Sequence, residues 1–110
     1  MDLLKTLKPN NKTGISMRTD LYEALKNKMI DLLKEDGWHL HLFFRVLHEQ
    51  FSNELGEETG WYLYHVKLDL ETKGVIKVER SKGRRDVITK LKLARNWQSL
   101  MHVHSQTMLL

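Results

Sequence analysis

The sequence predicts a mostly helical α+β domain: three helices, then a β hairpin, then an additional C-terminal helix. Three observations carry this. Apolar residues recur at helical spacing over successive stretches between about residues 19 and 73. Glycines at 37, 56, 60 and 74 punctuate those stretches. Beyond Gly74 the period changes from helical to alternating.

Residues 1–17 carry the single proline, Pro9, with Asn10, Asn11 and Gly14 close by. These turn formers predict an N-terminal arm or loop rather than a core element. A first helix is expected from Ser16 or Thr19, either able to cap it, with Asp20 and Glu23 complementing the helix dipole. Its stripe is Leu21, Leu25, Met29, Leu32 and Leu33, and Gly37 is the expected stop. Trp38 to His41 form a connector able to supply one short strand. A second helix takes Phe43, Phe44, Val46, Leu47, Phe51 and Leu55 to a stop at Gly56. Thr59 is placed to cap a third helix from about Trp61 to Lys73, with Leu63, Val66 and Leu70 inward and Trp61 read as a core or staple residue.

Val75–Arg80 and Asp86–Leu91 then read as strands joined by the polar linker Ser81-Lys82-Gly83-Arg84-Arg85. Val75, Val78, Val87 and Leu91 are the expected inward positions. Residues 92–110 return to helical spacing through Leu93, Trp97, Leu100, Met101 and His104. The organisation is therefore an arm (1–17), a helical domain with its hairpin (18–91) and a C-terminal helix or tail (92–110).

This order of elements, with Val66-Lys67-Leu68-Asp69-Leu70-Glu71-Thr72-Lys73-Gly74-Val75-Ile76-Lys77 running from a helix through glycine into a strand, resembles the winged helix-turn-helix superfamily. It is similar to MarR-like regulators and to small, uncharacterised bacterial winged-helix proteins. The resemblance implies three helices plus a two- or three-stranded wing. It also implies a small DNA-binding protein, of the kind that regulates transcription, reading double-stranded DNA with the third helix and a basic wing. Carried onto this chain, the DNA contacts are Tyr64, His65 and Lys67 on the helix and Lys82, Arg84 and Arg85 on the wing. The alternative is the same fold as a protein–protein interaction module, anchored by Trp61, Tyr62 and Tyr64.

Composition bounds these readings. The 110 residues carry 18 Lys+Arg against 14 Asp+Glu, a net charge of +4 that suits an anionic partner. Near the third helix, however, Glu54, Glu57, Glu58 and Asp69 would repel phosphates. With no cysteine, disulfides, thiolate nucleophiles and Cys-based zinc sites are excluded. The pairs His39/His41 and His102/His104, and His48 one heptad after His41, lack a third ligand at a fixed spacing, so neither metal nor other cofactor is expected. No phosphate-binding loop, His-Glu-x-x-His or Gly-x-Ser-x-Gly occurs, and the expectation is a protein that is not an enzyme. No apolar run reaches the ~18 residues of a membrane span and no signal peptide is evident, which predicts a cytoplasmic protein with no membrane partner. The C-terminal stripe would be costly to expose. It is expected to cover its own first helix or, slightly favoured, a second copy in a homodimer.

Overall fold

The computed structural model describes residues 2–34, 37–80 and 88–101. Its first element departs from the arm expected at the N-terminus. Strand β1 (Leu3–Lys8) pairs antiparallel with β2 (Lys12–Arg18) across a one-turn 3-10 helix, Pro9–Asn11. Pro9 presets the turn and Asn10 takes the left-handed conformation (φ 65°), which asparagine tolerates better than most residues. Gly14 is not part of this turn. It sits in β2 against the side chain of Thr6, where a Cβ would overlap Thr6 Oγ1. That hydroxyl oxygen instead accepts the Ile15 N–H at 3.0 Å. A strand glycine marking a close approach is the physical reason this segment reads poorly as a strand.

Helix α1 (Thr19–Leu33) follows directly, with Arg18 at its N-cap and no side-chain cap. Ser16 lies in β2 and Thr19 inside the helix, so neither performs the capping expected of it. The helix also ends before Gly37, and the Trp38 indole N–H donates to Leu32 O at 2.6 Å, satisfying one terminal carbonyl. Trp38–His39 form β3, Leu40–Leu55 form α2, and Gly56 ends α2 at φ 61°. A single 3-10 turn, Gly56–Glu58, leads into α3 (Thr59–Thr72). Thr59 is not a cap either. Its hydroxyl donates back to Gly56 O at 2.6 Å.

The exit from α3 matches its sequence signature. Gly74 adopts φ 81°, Gly74 N–H bonds Glu71 O at 3.0 Å and Val75 N–H bonds Leu70 O at 2.9 Å. This is the Schellman arrangement, with Leu70 and Val75, both buried, on either side of it. The chain continues into β4 (Ile76–Arg80) and returns as β5 (Ile88–Leu93). The three-stranded antiparallel sheet has the order β3-β5-β4, with Trp38 opposite Leu91 and Val78 opposite Leu91 on the other side.

One hydrophobic core joins these elements. Leu25 and Met29 of α1, Phe43 and Leu47 of α2, Leu63, Val66 and Leu70 of α3, and Val75, Ile76 and Leu91 are fully buried. Fully burying each such side chain is worth about 1.5–3 kcal/mol against leaving it in water. Val78 packs partly against this core, whereas Val87 lies outside the described residues. Trp97, Leu100 and Met101 pack against the same core. Among the described residues the fold is α+β, with the three helices α1–α3, a helical segment over residues 97–101 and small antiparallel sheets. Among the described residues no helix is long and apolar enough to cross a membrane.

Candidate nucleic-acid interface

Helix α3 is the centre of the molecule. α1, α2 and β4 pack against it, and β1 with the turn Pro9–Asn11 closes the side those leave open. Every residue from His65 to Leu70 is consequently buried. This corrects the exposure of two contacts that the winged-helix resemblance implies. His65 is 2% exposed and Lys67 is 5% exposed, so neither lies on an outward face. Lys67 is held instead by Glu71 at 2.9 Å along its own helix.

The hairpin is fastened to α3 by a buried carboxylate. Asp69, with 0% exposure, accepts the Leu7 N–H of β1 at 2.8 Å, the hydroxyl of Tyr22 on α1, and the Lys73 ammonium at 2.9 Å. Lys73 also donates to the Tyr22 hydroxyl at 3.3 Å. Burial, reinforced by the neighbouring Asp69 charge and hydrogen bond and by Glu23, pushes the Tyr22 hydroxyl far above its ordinary range. Asp69 therefore joins three elements and faces no solvent phosphate, which removes the repulsion expected of it.

What remains open on α3 is its N-terminal end. Trp61 is 56% exposed and Tyr64 is 49% exposed, so Trp61 is a surface residue and not the core or staple residue anticipated. Both rings meet His65 edge-on, with centroids 4.3 Å and 5.3 Å away. Beneath them the His65 ring nitrogens are buried with no hydrogen-bond partner among the described residues. Burial and then the positive charge of Lys8 lower its pKa, so His65 is neutral at pH 7. β1 and the Pro9–Asn11 turn pack on this helix, with the Leu7 N–H reaching Asp69 one helical turn beyond His65.

Charge is distributed unevenly around it. Lys5, Lys8 and Lys12 are exposed on the hairpin, and no described carboxylate pairs with them. On another side, Glu54, Glu58 and Tyr62 line a shallow cleft of about 310 Å³ with Arg18, Leu21 and Leu55. Arg18 is itself paired with Asp20 at 3.2 Å. Lys82, Arg84 and Arg85 lie outside the described residues, as do His102 and His104. His39 and His41 fall on different elements, β3 and α2. Among the described residues no three potential metal ligands come together.

The family model of DUF6958 matches residues 3–86, most of the chain. The protein belongs to that family, which is of unknown function. No curated protein matches it. The DUF6958 match takes in β1 and β2 together with the helices, so the hairpin bound to α3 through Asp69 belongs to the family unit. No sequence signal singled out Lys8 or Lys12. The nearest signal is the Pro9-Asn10-Asn11 turn between them, whose residue types alone predict an arm or loop.

Proposed function

We propose that this DUF6958 protein is a winged-helix DNA-binding protein that meets duplex DNA with the exposed N-terminal turns of α3. The observation that carries the reading is the element order α1–β3–α2–α3–β4–β5 with sheet order β3-β5-β4, the order of a winged helix-turn-helix. Tyr64 keeps its assigned place as a groove contact through its hydroxyl, and Trp61 joins it. His65 and Lys67 support this face from beneath instead of touching DNA. The linker residues Lys82, Arg84 and Arg85 contribute phosphate contacts from the wing. Trp97, Leu100 and Met101 face their own core, and the proposal therefore takes one chain as the binding unit. On this reading the protein binds and does not catalyse.

The test is binding of the purified protein to labelled random-sequence duplex across a salt series. Micromolar binding that falls steeply with salt supports the reading, and R84A/R85A should then flatten the slope. No binding at low salt refutes it. One observation favours a second reading: the open face of α3 is aromatic, not cationic. A protein-interaction module would lose its partner on W61A/Y64A and be indifferent to R84A/R85A.

A further inference from the structure

Lys8 and Lys12 are direct cross-strand partners at the end of the N-terminal hairpin. Like charges directly opposite one another weaken a strand pair, and here both are exposed and in no ion pair with a described carboxylate. The hairpin end is nevertheless anchored. Its turn is preset by Pro9 and Asn10, and β1 is tied to α3 through Leu7 N–H and Asp69. The same strand and turn pack on α3, where Asp69 lies one helical turn beyond His65, which Trp61 and Tyr64 flank. An exposed pair of lysines, in no ion pair with a described carboxylate, thus stands at the end of the hairpin that packs on α3.

From this placement, and resting on the DNA-binding reading above, we infer that the hairpin is a second phosphate clamp. Lys8 and Lys12 grip the sugar–phosphate backbone from the hairpin packed on α3. The hairpin is then a docked binding element, and its contribution is electrostatic and independent of base sequence.

The experiment compares wild type, K8Q/K12Q and the charge-matched control K28Q/K34Q on the same random duplex over 50–400 mM salt. Circular dichroism and thermal melts establish that each variant is folded. Removing two phosphate contacts should lower the log–log salt slope by about 1.8, which amounts to about 60-fold weaker binding at 0.1 M salt. The control should keep the wild-type slope. If wild type binds and K8Q/K12Q keeps its slope, or the control loses as much, the clamp is overturned while the DNA reading stands. If wild type does not bind at 50 mM salt, both are overturned.

Discussion

Asp69→Ala is the most informative perturbation of this fold, because one carboxylate serves donors from three elements. It accepts the Leu7 N–H at 2.8 Å, the Lys73 ammonium at 2.9 Å and the Tyr22 hydroxyl, with no exposure of its own. Removing it leaves a buried amide without an acceptor, at about 1–3 kcal/mol. Lys73 also loses its counterion, but its side chain reaches solvent at the edge and rehydrates in part. These losses overlap, and the usual range for breaking a buried pair from one side, about 3–5 kcal/mol, bounds the total. At about 4–8 °C per kcal/mol for a domain of this size, a loss of 3 kcal/mol lowers Tm by about 12–24 °C. Urea unfolding gives the free energy, and hydrogen exchange at the Leu7 amide gives the location of the damage. That amide should lose protection before the α1 and α2 core does, because the hairpin is released first. A loss below about 1 kcal/mol, or unchanged Leu7 exchange, would refute the claim that Asp69 fastens the hairpin.

Three further outcomes follow from the same geometry. Tyr22 holds its proton in the folded state where the unfolded chain releases it near pH 10. Stability should therefore fall as pH rises through 10, by up to about 1.4 kcal/mol per unit, and Tyr22→Phe should remove that part of the slope in alkaline urea melts. His65 behaves in the opposite sense: its folded pKa is lowered from 6.5, so stability should fall as pH drops below that value. Melts from pH 5 to 8 should show this dependence in wild type and not in His65→Phe; equal slopes would remove the buried-histidine argument. Gly14→Ala drives a Cβ into buried Thr6, with the Thr6 carbonyl oxygen also only 3.2 Å away. It should destabilise the hairpin by about 1–3 kcal/mol in thermal melts, whereas a neutral effect would mean β1 and β2 separate freely.

The helical half of the fold was legible because its signals are local. Leu63, Val66 and Leu70 recur at the period of α3 and are all buried, and Gly74 takes the positive φ that its position after the helix implied. The caps were not legible. Ser16, Thr19 and Thr59 are good capping residues, but the neighbouring segment decided otherwise: β2 runs straight into α1, and a 3-10 turn precedes α3. The N-terminal hairpin was missed for a related reason. Its turn, Pro9-Asn10-Asn11, stands plainly in the sequence, yet the flanking strands alternate poorly because Thr6 is the inward residue and Gly14 the space that receives it.

That single omission explains most of the displacement of the candidate site. A helix read in isolation has one apolar stripe and one open face; His65 and Asp69 fall off the stripe by spacing, whereas Lys67, four after Leu63 and three before Leu70, borders it. Burying a carboxylate there is unfavourable unless donors come to it, and two of them, the Leu7 N–H and the Tyr22 hydroxyl, are remote in sequence. Periodicity contains no trace of such partners. Once the hairpin occupies that face, α3 can present only its N-terminal turns, and an aromatic pair stands where cations were expected. The missing positive charge reappears on the element that displaced it, at Lys8 and Lys12. Any anionic partner must therefore be tested on the hairpin and α3 together, because neither presents both the aromatic surface and the cations.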